Sequence, residues 1–288
     1  MPRTVIVTDS TASIPPEQAE ERGIVVVPLR VVIGAQVFDE GVDGATPERV
    51  AKALAEFVPV STSRPNPAAM AEVYERLARE GAKEIISIHI SGEMSGTYES
   101  AQLAAKQVNV KVTCIDSRQV GASTGYAALS AADVLDAGGT VAEAAQAARD
   151  RAGAATSLFY VDTLEYLRRG GRIGAAAAIL GGALSVKPLL SIVDGKVANL
   201  EKVRTGAKAL ARLEDLAVEA AASQSVDIYV AHLANHDRAE QLAATLGDRL
   251  ADNLEGRELW CGELGAVPGA HVGPGMVAVC VAPRLPLG

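Results

Sequence analysis

The first half of the sequence alternates short β-branched runs with helical patterns of about 10–15 residues, and this alternation restricts the fold more than any other feature. Residues 4–8 and 85–90 read as buried strands, and a helical pattern follows each of them. Such an alternation predicts a parallel sheet with right-handed crossover helices. Because ligands of these sheets bind beyond the carboxyl ends of the strands, we expect Asp9, Thr62 and Ser95 at that edge.

The pattern changes after about residue 155. Residues 157–161 read as a strand, and a hairpin is predicted with Asp194 and Gly195 as its two-residue turn. A chain of this length usually forms more than one domain. We therefore predict an α/β fold with two domains. A Rossmann-like parallel-sheet domain spans residues 1–155, and a smaller α+β domain spans residues 156–288.

Composition limits what fills the interior and what the surface binds. Hydrophobic residues make up 49% of the chain but aromatic residues only 3%, so Ala, Val, Leu and Ile must fill the core. The 27 Lys and Arg residues are outnumbered by 35 Asp and Glu residues, which gives a net charge of −8. This balance argues against a surface that binds nucleic acid or an anionic membrane.

The cysteines and the terminal segment indicate the compartment. Cys114, Cys261 and Cys280 are odd in number and far apart, which predicts neither a disulfide framework nor a Cys-x-x-Cys metal site. The chain enters a strand at once without a signal-like segment, and it has no apolar run long enough to span a bilayer. We expect a cytoplasmic protein with no integral membrane segment, no metal and no cofactor.

Residues 85–98 form the most informative stretch. A buried strand stops at a glycine-containing turn, and an apolar-periodic helix is predicted to begin at Ser95, where an N-cap belongs. Gly96 allows another group to approach the backbone. The free amides and the dipole of a helix N-terminus suit an anion, but the local pattern alone favours Ser95 as a simple cap.

Two further segments carry candidate binding groups. Residues 61–67 read as a loop in which Thr62, its neighbouring hydroxyls and Arg64 either hold an anion or form an ordinary turn. Residues 267–275 read as a stiff Pro/Gly loop around His271, which is either a binding group or a solvated side chain.

Several familiar catalytic and nucleotide-binding motifs are not matched by the sequence. Gly92–Gly96 lacks the spacing of a nucleophile elbow, and His232 and His236 lack the Glu of a zincin helix. The glycine-rich turn at residues 170–174 matches neither a phosphate-binding loop nor a dinucleotide fingerprint.

Six short segments together resemble the DegV family, bacterial fatty-acid-binding proteins that serve as carrier subunits of fatty acid kinase. The segments, in the order and approximate spacing of that family, are residues 7–10, 62–65, 95–98, 116–117, 164–174 and 269–275.

The resemblance implies that the second domain completes a fatty-acid site and that the acyl chain is buried. The family's carboxylate-binding positions match Thr62, Ser95 and His271. Secondary ligand-site candidates on the same segments are Ser63, Gly96 and Thr97.

The resemblance also implies a partner. A separate ATP-dependent fatty acid kinase phosphorylates the bound carboxylate to acyl phosphate for phospholipid synthesis, and the chain itself is a non-catalytic, monomeric carrier. Arg172 and Arg204 would face that partner. Gly92 and Val272 depart from the family, which often has Ser and Thr there, and these changes thin the hydroxyl network.

The energetics of a buried acyl chain agree with this expectation. About 14 methylenes at ~0.8 kcal/mol each give roughly 11 kcal/mol before costs, whereas an unpaired buried carboxylate costs several kcal/mol and needs donors. The small residues at 175–178, with Gly181 and Gly182, either leave an acyl tunnel or pack helices closely.

Two other classes of protein stay open. An acyl hydrolase or transferase would use Ser95 as nucleophile and His271 as base, but no acid near His271 is evident to orient it. A lipid-responsive sensor would control some other partner. Acyl length and saturation do not follow from the sequence.

Overall fold

The computed structural model describes residues 3–42, 44–179 and 187–284. Gly181 and Gly182, two of the small residues considered for an acyl tunnel, lie outside the described residues.

Strands and helices alternate along the described residues. The strands are β1 (Thr4–Asp9), β2 (Val25–Val27), β3 (Arg30–Ile33), β4 (Gln36–Asp39), β5 (Val60–Ser63), β6 (Glu84–His89), β7 (Lys111–Asp116), β8 (Thr156–Tyr160), β9 (Lys187–Val193), β10 (Lys196–Val203), β11 (Val226–His232), β12 (Trp260–Glu263) and β13 (Val277–Pro283). The helices are α1 (Pro16–Glu21), α2 (Pro47–Ala55), α3 (Pro67–Arg79), α4 (Thr97–Ala105), α5 (Ala122–Asp136), α6 (Val141–Ala154), α7 (Glu165–Arg169), α8 (Gly206–Ala221), α9 (His236–Arg249), α10 (Ala251–Leu254) and α11 (Ala266–Val272).

The chain divides into two compact units. The first contains the residues up to Arg30 together with Ser63–Ala154, and the second contains Val31–Thr62 and Ala155–Arg284. Residues 31–62, which the sequence groups with the first domain, thus belong to the second unit. The boundary between residues 155 and 156, as a boundary between domains, stays a prediction.

The first unit is built on a four-stranded parallel sheet. Its strand order is β2-β1-β6-β7, and each neighbouring pair runs parallel. Val5 and Val7 of β1 join a buried cluster with Met70 and Tyr74 of α3. The strand order reverses between β1 and β6, which is where ligands of such sheets usually bind.

The second unit contains a six-stranded mixed sheet, in the order β10-β9-β8-β13-β11-β12. Ala209, Leu213 and Ala217 of α8 are fully buried in a cluster with side chains of this sheet. Asp194 and Gly195 connect β9 to β10 at φ values of 51° and 78°, as a two-residue hairpin turn requires. The predicted fold class, a parallel-sheet α/β part and a mixed α+β part, is confirmed.

Threonine side chains cap two helices at their first turns. The Thr46 hydroxyl accepts a hydrogen bond from the Arg49 amide at the start of α2, and the Thr205 hydroxyl accepts one from the Lys208 amide at the start of α8. Along the described part of the chain, no helix is both long and apolar enough to cross a membrane.

Two segments predicted as loops are regular structure. Residues 60–63 form strand β5 at the edge of the three-stranded sheet β4-β3-β5, because the β-branched Thr62 and its alternating exposure suit an edge strand. Residues 266–272 form helix α11. Pro268 is tolerated because the first turn of a helix needs no amide donor, and Gly273 at a φ of 76° ends the helix.

Candidate functional site

Two of the predicted carboxylate-binding residues meet in the second unit. A hydrogen bond of 2.8 Å joins Thr62 Oγ1 to His271 Nε2. Thr62 lies in β5, and His271 lies in the last turn of α11. Both side chains are partly buried, so the pair is shielded while an opening to solvent remains.

The surroundings of the imidazole define its tautomer. His271 Nδ1 is buried and accepts or donates no hydrogen bond among the described residues. A proton on Nδ1 would leave a buried donor unpaired, whereas a proton on Nε2 is donated to Thr62 Oγ1. We assign the Nε2–H tautomer on this ground. Thr62 then keeps its own hydroxyl hydrogen for a further acceptor.

Helix α7 and the residues after it hold the imidazole from the other side. A Cβ atom at Gly170 would lie only 2.2 Å from His271 Nδ1, so the Gly170 backbone packs directly against the ring. A Cβ atom at Gly273 would lie 2.0 Å from the ring of Tyr166, so the chain just after His271 is also held by α7. Glycine at both positions permits this close packing.

A nearby cation makes the site electropositive. Burial, and after it the positive charge of Arg172, lower the pKa of His271 to about 4. Arg172 Nη1 also donates a hydrogen bond of 2.6 Å to the Gly170 carbonyl. At neutral pH the site therefore combines an uncharged imidazole, a hydroxyl donor and the field of a guanidinium.

Adding a methyl group at Gly170 should displace His271. Gly170 has an ordinary helical φ of −73°, so Gly170→Ala adds the clash without backbone strain, and we expect a loss of about 1–3 kcal/mol of stability. NMR of the imidazole nitrogens should show the bond to Thr62 weakened. Gly247→Ala in α9 is the matched control, since its Cβ atom would meet nothing within 4 Å. An unchanged His271 signal in Gly170→Ala would contradict this packing.

The lowered pKa of His271 should make stability depend on pH. In the unfolded chain His271 has its ordinary pKa of 6.5 and binds a proton as the pH falls below that value. In the folded protein the same proton binds only at about pH 4. The contribution of His271 to the free energy of unfolding is therefore complete above pH 6.5 and is lost as the pH falls to about 4. The expected change is about 3 kcal/mol. Urea unfolding of the wild type and of His271→Gln between pH 7 and pH 4.5 measures it. If the free energies of unfolding of the two proteins change in parallel with pH, the pH dependence does not come from His271.

Ser95, the third predicted carboxylate contact, lies in the first unit. Its Oγ is 2.8 Å from Thr97 Oγ1 and accepts a hydrogen bond of 3.3 Å from the Thr97 amide. The prediction that the helix begins at Ser95 is wrong. Helix α4 begins at Thr97 with Gly96 as its cap, because the Gly96 carbonyl accepts the first helical bond, from Ser100.

The secondary candidates have different surroundings. Thr97 is fully buried, whereas Ser63 is exposed at the end of β5. The group that approaches Gly96 is the Arg64 guanidinium, since a Cβ atom there would lie 2.2 Å from Nη1. Arg64 also forms a 2.6 Å ion pair with Glu99, so its charge is largely compensated within the protein.

Gly92, one of the two departures from the family, lies against Asp116. The Gly92 amide donates a 3.2 Å hydrogen bond to Asp116 Oδ1, and a Cβ atom would lie 3.0 Å from Asp116 Oδ2. A Cβ atom at this position would therefore be in tight contact with the Asp116 carboxylate. Val272, the other departure, is partly buried at the end of α11.

The two arginines predicted to face a partner differ in exposure. Arg204 is exposed in the turn between β10 and α8. Arg172 is partly buried, and its charge acts on His271. Contact of either residue with a partner stays a prediction.

A buried polar network at the reversal point of the first sheet was not recognised in the sequence. Asp9 Oδ2 lies 2.9 Å from His89 Nδ1, and His89 Nε2 lies 2.7 Å from Ser87 Oγ, which is 2.7 Å from the Tyr74 hydroxyl. All four side chains are fully buried. The order of Asp9, His89 and Ser87 resembles a catalytic triad, but the burial of Ser87 excludes it from contact with a substrate in this conformation.

The geometry around His271 does not favour nucleophilic catalysis. No described carboxylate bonds Nδ1 to orient the ring, and a pKa of about 4 makes the imidazole a weak general base at neutral pH. Within the described ranges, no group of three or more His, Cys, Asp or Glu residues could hold a metal ion. The Thr62–His271 pair beside Arg172 instead has the character of a binding site for a small anionic group.

Comparisons with known proteins place a chain with this fold and site in a family. A family model described as an uncharacterised protein of the DegV family matches residues 3–284. A DegV domain-containing protein of Streptomyces coelicolor is 50% identical over 280 residues, which are 97% of this chain and 98% of that protein. The chain belongs to the DegV family.

Solved structures agree over nearly the whole length. A DegV family protein from Thermus thermophilus, described as fatty-acid binding, superposes with a TM-score of 0.89 at 31% identity, covering 98% of this chain and 100% of that one. DegV of Bacillus subtilis, described as a fatty acid binding protein, has a TM-score of 0.89 at 29% identity, covering 98% and 99%.

Proposed function

We propose that this protein binds a long-chain fatty acid, and that the Thr62–His271 pair holds its carboxylate, with the Thr62 hydroxyl as the donor and His271 holding Thr62 in place. The observation that carries the proposal is the Thr62–His271 pair, in which the hydroxyl hydrogen of Thr62 is left for an external acceptor. A carboxylate accepts such a donor strongly, and the field of Arg172 favours its negative charge. The fatty-acid-binding relatives from Thermus thermophilus and Bacillus subtilis support the acyl chain as the rest of the ligand.

Ser95 enters the proposal as a further hydroxyl ligand of the carboxylate, supported by the family resemblance of residues 95–98. Replacing Ser95 by alanine is expected to weaken fatty-acid retention without unfolding the first unit. Ser63, Gly96 and Thr97 are proposed only as neighbours of the binding groups.

Discrimination between head groups tests the proposal. Hexadecanoate and 1-hexadecanol have hydrocarbon chains of the same length and differ in the head group. The competition of each compound with a fluorescent fatty acid therefore isolates the contribution of the carboxylate. Charge-assisted hydrogen bonds predict about 10- to 100-fold tighter binding of the acid. Equal affinities would show that the Thr62–His271 site does not bind the carboxylate, and the absence of binding by both would reject the proposal.

We propose further that the protein is a non-catalytic carrier, a cytoplasmic monomer that presents the carboxylate to a separate ATP-dependent fatty acid kinase for transfer of a phosphoryl group. This step is supported by the family resemblance. Arg204, exposed in its turn, is the proposed contact with the kinase. Arg204→Ala should leave the affinity for hexadecanoate unchanged and slow acyl phosphate formation in a reaction reconstituted with the kinase.

A further inference from the structure

We propose that Glu40 is a positioning residue for His271, acting through helix α11. The inference rests on the proposed function in one respect, since the positioned imidazole holds the Thr62 hydroxyl that donates to the fatty-acid carboxylate in that proposal. It adds a residue that does not touch the ligand and that lies 231 positions from His271 in the sequence (271 − 40 = 231).

Glu40 lies at the N-terminal end of α11. Its Oε1 accepts a hydrogen bond of 2.7 Å from the Val267 amide, and both residues are buried. The first amides of a helix have no partner within the helix and lie at the positive end of its dipole. A buried side-chain acceptor at this position therefore holds the start of α11 by a hydrogen bond.

The local sequence of α11 provides no cap of its own. The N-cap position is Gly265, which has no side chain to accept a bond from the first turn. A Cβ atom at Gly265 would lie only 2.6 Å from Glu40 Oε1, so glycine is needed to admit the carboxylate. Glu40 thus takes the place that Ser, Thr, Asp or Asn occupies at most helix starts.

The same segment of chain holds the other end of α11. Residues 31–62 provide Glu40 at the first turn and Thr62, bonded to His271, at the last turn, and α2 of this segment packs against the helix. A seven-residue helix is about 10 Å long, so a change in the position or tilt of its start is passed to its end. A hydrogen bond of 2.8 Å tolerates only a small displacement before it is lost.

Glu40→Ala and Glu40→Gln test the proposal together. Alanine removes the acceptor, whereas the glutamine amide oxygen can still accept from Val267 in the same geometry. We expect Glu40→Ala to raise the pKa of His271 in the ligand-free protein towards its ordinary value and to lower the preference for hexadecanoate over 1-hexadecanol by about tenfold or more. Glu40→Gln should restore both readouts to near the wild-type values. Glu56→Ala is the matched control, an exposed carboxylate of the same segment.

The two readouts separate this proposal from the proposed function. An unchanged pKa of His271 in Glu40→Ala would overturn the positioning role whether or not fatty acid binds. A raised pKa in a protein that never binds hexadecanoate would sustain the positioning of the ring and reject the role of the Thr62–His271 pair in binding the carboxylate. If Glu40→Ala does not fold, Gly265→Ala displaces the carboxylate more gently, and the same shift in pKa is expected. Failure of Gly265→Ala to move it would then contradict the proposal.

Discussion

Replacing Asp9 with alanine is expected to lower the free energy of unfolding by about 3–5 kcal/mol, because it removes one partner of a buried hydrogen-bonded carboxyl–imidazole network. Asp9 is fully buried, and its carboxylate accepts hydrogen bonds from the Ile90 amide at 3.0 Å and from the Thr11 amide and hydroxyl at 3.2 and 2.5 Å. His89 Nδ1 lies 2.9 Å from its other side.

The loss extends beyond Asp9 itself. His89 would lose the hydrogen-bond partner that fixes the orientation of its ring. The hydrogen bonds from His89 to Ser87 and from Ser87 to the Tyr74 hydroxyl would then no longer be held in place by Asp9. Burial raises the pKa of Tyr74 far above its usual value, so this hydroxyl stays protonated and can donate along the chain. A buried polar group that loses its hydrogen-bond partner lowers the stability far more than an exposed polar group that loses one.

Urea unfolding measures the effect. Glu80→Ala is the control within the same unit, because its ion pair with Arg76 is exposed and should contribute at most about 1 kcal/mol. An Asp9→Ala protein within about 1 kcal/mol of the wild type would contradict the structural role of the network.

Replacing Thr62 with valine is expected to weaken hexadecanoate binding by about 10- to 100-fold, the loss typical of one charge-assisted hydrogen bond. Valine keeps the β-branched shape that suits β5 and removes only the hydroxyl. The affinity for 1-hexadecanol should change much less, because the acyl chain makes no use of this donor.

The control is Ser61→Ala on the same strand. Ser61 is exposed, and side chains alternate along a strand, so Ser61 and Thr62 point to opposite faces. Ser61→Ala should bind hexadecanoate like the wild type. If Thr62→Val binds the acid with unchanged affinity, the carboxylate does not rest on Thr62, and the proposed site is wrong.

Locally encoded features of the fold could be predicted from the sequence. The parallel sheet follows from apolar strands that alternate with helices, a pattern that extends over many residues. The caps at Thr46 and Thr205 and the turn at Asp194 and Gly195 each depend on residues within a few positions of one another. Such features need no knowledge of distant contacts.

Features that depend on distant contacts were predicted wrongly or missed. Helix α11 contains proline and glycine and reads as a loop, and its first turn is capped by Glu40 from far along the chain. The bond between Asp9 and His89 likewise joins residues of different strands. One signal was present, since an acid and a histidine stand at the carboxyl ends of two strands of the predicted parallel sheet.

The candidate site was predicted through the family resemblance more than through local chemistry. Local patterns left Thr62 and His271 each with an ordinary alternative. The structure joins these two residues by a hydrogen bond, which neither segment alone could indicate. The lowered pKa of His271 depends on burial and on Arg172, and both arise only in the folded chain.

The most direct test of the central claim is mass spectrometry of the purified protein, first under native conditions and then after extraction with organic solvent. We expect a mass increase that matches one long-chain fatty acid per chain, with the same fatty acid in the extract. A protein that is purified empty, and that takes up no added hexadecanoate, would contradict fatty-acid binding.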